Sequence, residues 1–200
     1  MCGILTPDSG ECKINGMIPY KEREKYVKNI GAVFGNRSSL WWDVPVDDSF
    51  ELSKSIYGIP EEKYRRQREM LLEMLNIGDN IKKPTRTLSL GQRMKCEIAM
   101  AFLHDPQIVF LDEPTIGLDS VSKISVRKFI KEINKKQGKT IILTTHDTGD
   151  IKALANRVIL IGKGRVLLDG KMDALLEESE QDSGSLDDYI ANLYKKYNIA

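Results

Sequence analysis

Three stretches of this 200-residue sequence carry side chains suited to phosphate chemistry. "QIVFLDE" is an apolar run that ends on Asp112 and Glu113. A buried strand of an open α/β sheet delivers the residues at its C-terminal end to the edge where ligands bind. One carboxylate there suits Mg2+ held through water, since Mg2+ keeps its waters and takes one or two carboxylates beside phosphates. The next suits a general base for an attacking water. "KTIILTTHD" sets His146 at the end of a second apolar run, placed to donate to a phosphate oxygen or to orient a water. "TRTLSLGQRMKCEIAM" puts Ser89, Gly91 and Gln92 at a helix start, where free N–H groups and the helix dipole favour an anion. Each stretch has a plainer reading by itself: an acidic loop after a strand, a structural His, an ordinary helix cap. His104, at a helix end in "FLHDP", reads as structural, because a cation there suits the dipole.

The elements that must position these residues alternate along the chain. "ECKING" reads as a short strand with a turn at Asn15-Gly16, and "NIGAVFG" as a buried strand. "SSLWWDVPVDD" is a loop. "SFELSKSIYG" and "PEEKYRRQREMLLEMLNIG" are helical, the second with Pro60 in its first turn and an apolar stripe of Tyr64, Met70, Leu71, Met74 and Leu75. A helix runs from Ser89 to about Leu103. "SVSKISVRKFIKEINKKQG" is an amphipathic helix closed by Gly138. A short helix near Asp150–Leu154, a hairpin "RVILIGKGRVLLDG" and two terminal helices around a polar "EQDSGS" linker complete the chain. Helices alternating with strands buried on both faces predict an α/β domain with a mostly parallel sheet. The segment 46–88 lacks strand signal and reads as an inserted helical subdomain. The core is then 1–45 with 89–178, and 179–200 is a C-terminal linker and helix.

Composition narrows the classes. Lys plus Arg is 30 and Asp plus Glu is 29, so there is no basic excess to suggest nucleic acid. Three cysteines, Cys2, Cys12 and Cys96, form no metal spacing, which makes a reducing cytoplasmic setting the default. No apolar run approaches the roughly 18 residues of a membrane span, and no signal peptide is read. Any membrane contact is expected through a partner.

Together the stretches are far more specific than apart. "LSLGQ", then Asp112-Glu113 in "LDEPTIGLD", then "TTHD", resembles the order and spacing of the ABC-type ATPases. Leu88 to Gln92 resembles the family signature, with Leu90 where Gly is usual. Ile116 to Asp119 resembles the D-loop. "TPDSG", at Thr6 to Gly10, also resembles the family, and "VFGNRSSLWWDVPV" with its tryptophans resembles exporters of the bacterial multidrug and polysaccharide type.

The resemblance implies a P-loop NTPase-like fold and a head-to-tail pair of cassettes. ATP would lie between the phosphate loop of one cassette and the signature of the other. It implies that Ser89, Leu90, Gly91 and Gln92 face a partner's ATP, the side chain of Leu90 pointing away without removing N–H donors. Asp112 would hold Mg2+ through water, Glu113 would activate the attacking water, and His146 would grip the γ-phosphate. Asp119 would lie at the seam between cassettes. Asn36 falls where the family places a Gln that touches Mg2+, on a stem one methylene shorter. The partners implied are a second cassette and an integral-membrane transporter subunit at the inner face of the cell membrane.

One part of the pattern is absent from the 200 residues. The phosphate loop G-x-x-x-x-G-K-[ST] precedes a helix and its Lys neutralises phosphate. The only G-K-[ST] here is Gly138-Lys139-Thr140, with Ile133 five positions earlier, a helix before it and a strand after it. It reads as a helix C-cap glycine. The expectation is a chain truncated before the equivalent of "CGILTPDSG", without the phosphate loop and some core elements. Apolar surface left wet costs roughly 25 cal/mol per Å2, against a domain stability of about 5–15 kcal/mol, so marginal stability is expected.

Three functions fit these residues: the favoured ATP-hydrolysing subunit of an ABC exporter, in truncated form; a non-enzymatic partner that lends its signature to another cassette's ATP; and a soluble ABC protein of translation or DNA repair. Against the last stand the single cassette and the absence of basic excess or a long coiled coil.

Overall fold

The computed structural model describes residues 1–35, 37–182 and 184–197, the side chain of Asp182 excepted. Two compact units divide at Thr144.

The first unit, Met1–Thr144, contains α1 (Arg23–Val27), β1 (Ile30–Phe34), α2 (Val46–Tyr57), α3 (Glu61–Leu75), α4 (Leu90–Phe102), β2 (Ile108–Asp112), α5 (Ser120–Gln137) and β3 (Thr140–Thr144). The strands form a parallel sheet in the order β1-β2-β3. Central β2 is buried from Ile108 to Leu111 and emerges at Asp112, as a strand covered on both faces should. Register places Phe34, Asp112 and Thr144 side by side, so all three strands end on one edge.

Helices α2 and α3 occupy the stretch before the signature. Arg68 of α3 grips Asp47 of α2 through Nε at 2.8 Å and Nη2 at 2.9 Å, the planar two-point pairing that guanidinium and carboxylate allow. Leu71 and Leu75 are fully buried, while Met70 and Met74 are half-buried at the stripe's margin. Phe102 and Phe129 meet edge-to-face at 5.3 Å between ring centres, locking α4 to α5. Burying each such side chain contributes about 1.5–3 kcal/mol.

Two local expectations change. "ECKING" forms no strand; Ile14 and Met17 make only an isolated antiparallel bridge around the Asn15-Gly16 turn, whose φ angles are +48° and +79°. Two residues on each side of a tight turn are too few to propagate a ladder. Pro60 is the N-cap of α3 rather than a first-turn residue; its ψ of 142° is extended, and the helix begins at Glu61.

The second unit, Thr145–Ala200, contains α6 (Thr148–Leu154), the antiparallel pair β4 (Arg157–Gly162) and β5 (Arg165–Lys171), α7 (Met172–Asp182) and α8 (Leu186–Lys196). Lys163 and Gly164 turn the hairpin, both at positive φ, as a two-residue turn matched to strand twist requires. Its core gathers Met172, Leu175 and Leu186, with Ile151, Val158 and Leu168 packed against them. Among the described residues no helix is long and apolar enough to cross a membrane.

Candidate functional site

The carboxylate pair sits where the sheet ends. The hydroxyl of Thr144, on the neighbouring strand, donates to Asp112 Oδ1 at 2.5 Å. The next residue, Glu113, has a φ of +51°, a region non-glycine residues seldom occupy and one often associated with functional sites. Its N–H donates to the Thr144 carbonyl at 3.1 Å. Thr144 therefore orients the Asp112 carboxylate by its side chain and pins the Glu113 backbone by its carbonyl. Gly35 follows β1 beside them: a Cβ there would lie 3.0 Å from the Asp112 carbonyl oxygen. The small residue lets the chain pass against the carboxylate peptide on its way to Asn36, which lies outside the described residues. Among the described residues no three His, Cys, Asp or Glu side chains form a metal cage. An exposed carboxylate at a strand end instead suits a cation that brings its own water and phosphate oxygens.

The signature forms a second structure. Ser89 caps α4: its Oγ accepts from the Gln92 N–H at 3.3 Å, while Gln92 Oε1 accepts from the Ser89 N–H at 3.0 Å. This reciprocal box uses two donors of the helix start and leaves the N–H groups of Leu90 and Gly91 for an outside acceptor. Leu90 is 42% exposed. Its Cδ2 lies over Gly117, where a Cβ would meet it at 3.1 Å, so the side chain covers the "TIGLD" turn. Gly91 is buried against α5: a Cβ would lie 2.8 Å from Ser122 Cβ and closer still to Ser122 Oγ. Asp119, in turn, is the N-cap of α5 and accepts from the Ser122 N–H at 2.9 Å and hydroxyl at 2.8 Å. Those bonds, the backbone one first, hold its carboxyl below the usual range.

His146 is exposed, two residues past the end of β3, and belongs to the second unit. His104 lies elsewhere, stacked on Tyr57 with ring centres 3.9 Å apart and Nε2 2.8 Å from the Ile30 carbonyl. Burial lowers its pKa below the ordinary histidine value. Gly138 takes the left-handed C-cap position of α5 at φ +63°. Lys139 is 4% exposed and its ammonium is bound to Asp105, so this lysine is committed to the fold.

Two positioning residues escape a motif reading. Thr144 was visible only as a polar strand end. Glu97 interrupts the buried face of α4 beside Met94, Ile98 and Ala101, a charge where helical periodicity calls for an apolar side chain. Burial pushes its carboxyl above the usual range, against the pull of bonds from Ser38, Ser39 and Leu40 and of Arg93.

A parallel sheet whose central strand ends on Asp112, with helices between its strands, is an α/β fold of the kind that binds ligands at the strand ends. The ABC transporter family matches residues 1–116, and the chain belongs to that family. It is 29% identical over 182 residues to the ABC transporter ATP-binding protein NatA of Bacillus subtilis, covering 91% of this chain and 74% of NatA. Several other curated relatives are longer: the chain spans 64% of the energy-coupling factor transporter ATP-binding protein EcfA2 of Clostridium perfringens, at 31% identity over 181 residues and 89% of this chain. Among solved structures, the ATP-binding subunit of an ABC transporter superposes with a TM-score of 0.81 at 24% identity, over 96% of this chain and 79% of that one. The fold is therefore that of the ABC ATPases.

Proposed function

We propose that the chain is the nucleotide-engaging part of an ATP-binding subunit that powers a separate membrane subunit of an ABC exporter. The observation that carries this reading is the start of α4. Its capping box leaves the Leu90 and Gly91 N–H groups available, and the exposed Ser89 keeps its hydroxyl proton for an acceptor. Such a start takes the terminal phosphate of an ATP held by a second cassette, in a head-to-tail pair at the cytoplasmic face of the membrane. Export is the direction assigned, on the likeness of "VFGNRSSLWWDVPV" to exporters.

Each residue has a part within that pair. Asp112, oriented by Thr144, would hold Mg2+ through water; the ion supplies charge neutralisation between phosphates. Glu113 accepts the proton of an attacking water. His146 donates to a phosphate oxygen, Asn36 adds an amide near the cation, and Asp119 keeps the start of α5 packed on Gly91 at the seam.

The non-enzymatic partner reading remains as a second one, favoured by the burial of Lys139 in the only G-K-[ST] of the sequence. ATP binding with micromolar affinity by the chain alone would exclude it.

Leu90→Glu tests the shared reading. Leu90 is exposed, and a carboxylate suits a helix first turn, so folding should be retained while phosphate is repelled. ATP-dependent association with a complete cassette is expected to fall about tenfold or more, as like-charge repulsion at an interface implies, whereas Leu90→Gly should associate normally. Unchanged association of Leu90→Glu would refute the assignment of α4 to a partner's nucleotide.

A further inference from the structure

Glu97 is 6% exposed in the middle of α4 and has no part in the phosphate chemistry above. A carboxylate in such a place costs several kcal/mol unless it is hydrogen-bonded. Its partners all come from one segment, the loop after β1. The Ser38 hydroxyl meets Glu97 Oε1, the Ser39 N–H donates to Oε2 at 3.0 Å, and the Leu40 N–H donates at 3.2 Å to the same Ser38 hydroxyl oxygen that Glu97 holds. One turn earlier on α4, the Arg93 guanidinium lies over the Trp42 ring, 5.9 Å from its centre.

The loop is also held from its other sides. The Trp41 N–H donates to Ser49 Oγ of α2 at 3.0 Å, and the Arg86 N–H donates to the Trp42 carbonyl at 3.0 Å. Leu40 is buried beneath. The outcome is a loop with a pinned backbone and two aromatic side chains left outside: Trp41 is 59% exposed and Trp42 53%. A surface tip of two tryptophans would otherwise fold down onto apolar surface or move freely.

We propose that Glu97 is a positioning residue that fixes the 38–42 loop onto α4, so that the Trp41–Trp42 tip and the start of α4 are carried as one rigid piece. The tip then reports the position of Ser89 and Gly91, a consequence that rests on the function proposed above; the clamp itself does not. An apolar residue at 97 would pack α4 at lower cost but would leave the Ser39 N–H without its acceptor and release the Ser38 hydroxyl that holds the Leu40 N–H. Glu97→Gln keeps an oxygen acceptor on the same stem; Glu97→Ala removes it.

The test uses the whole chain without nucleotide, so its failure is separate from failure of the ATP reading. Amide hydrogen exchange is read at Ser39 and Leu40, and tryptophan anisotropy is read in parallel. Trp41 and Trp42 are the only tryptophans in the sequence, so the fluorescence reports this loop alone. In Glu97→Ala, exchange at Ser39 is expected to accelerate about tenfold or more, the loss anticipated for a bond to a charged acceptor, exchange at Leu40 to accelerate less as Ser38 is released, and anisotropy to drop. Glu97→Gln should stay near wild type in both. Ser38→Ala, which removes one donor and leaves the helix intact, should show a smaller change in the same direction. Wild-type loop exchange in Glu97→Ala, or acceleration spread equally over α5 and β2, would overturn the proposal. So would failure of Gln to rescue.

Discussion

Thr144 donates its hydroxyl to Asp112 Oδ1 at 2.5 Å and accepts the Glu113 N–H on its carbonyl at 3.1 Å. One residue of β3 thus orients the carboxylate that ends β2 and pins the backbone of the residue after it. Thr144→Val keeps the strand, since Val fills the same volume and suits a β-strand, but frees the Asp112 carboxylate to rotate. In an assembled, ATP-hydrolysing pair, the Mg2+ concentration for half-maximal hydrolysis is expected to rise about tenfold, the usual scale for losing a residue that orients a metal ligand. Thr144→Ser should restore it. A Mg2+ titration that superimposes on wild type for Thr144→Val would refute this role.

The close approach of Gly91 to Ser122 makes a methyl group intolerable there. Gly91→Ala drives a Cβ to 2.8 Å from Ser122 Cβ, forcing α4 and α5 apart at their starts. Overpacking of this kind costs about 1–3 kcal/mol. A thermal melt should show the loss, and ATP-dependent association should weaken further than stability alone explains. A melting temperature equal to wild type would contradict the packing described.

Lys139 and Asp105 anchor the opposite end of the sheet. The lysine is buried and its ammonium reaches both the Asp105 carboxylate and, at 3.3 Å, its carbonyl. Lys139→Met preserves length and apolar stem but deserts the carboxylate. Breaking a fully buried pair costs about 3–5 kcal/mol; with Asp105 a third exposed and still beside Lys63, about 2 kcal/mol is expected. Urea unfolding monitored by circular dichroism measures it, and a change below a few tenths would show the pair to be idle.

His104 predicts a pH dependence whose sign follows from its neutral, buried state. Its folded pKa lies below 6.5, chiefly through burial, so the unfolded chain takes up the proton first as pH falls. The stabilising contribution is complete above 6.5 and is lost as pH drops from there through the folded pKa. His104→Phe keeps the stack on Tyr57 and removes the titration. The stability difference between wild type and His104→Phe should therefore shrink from pH 7.5 to pH 5. A difference that stays constant over that range would show that His104 titrates alike in both states.

Much of the fold was legible because burial on two faces leaves a clear trace. "IVFLD" had to be a covered strand and is one, Ser89 with Gln92 announced a helix start, and Gly138 announced a stop; "TIILT" forms β3, but at the end of the strand order its residues are half-buried or exposed. The "ECKING" strand failed because two flanking residues cannot sustain a ladder, a limit of length rather than of residue type.

The chemistry-bearing types and their order were determined by sequence alone: Asp112 and Glu113 after an apolar run, Ser89 and Gly91 at a helix start, and membership of a family recognisable by that spacing. What tertiary structure decided was who holds them. Thr144 faces Asp112 because parallel register sets the ends of β2 and β3 side by side, and Glu97 meets Ser38 and Ser39 because α4 packs beside the loop after β1. Pairings across 32 and 59 positions leave no local pattern, since hydrogen bonds depend on distance in space and periodicity reports only burial along one element.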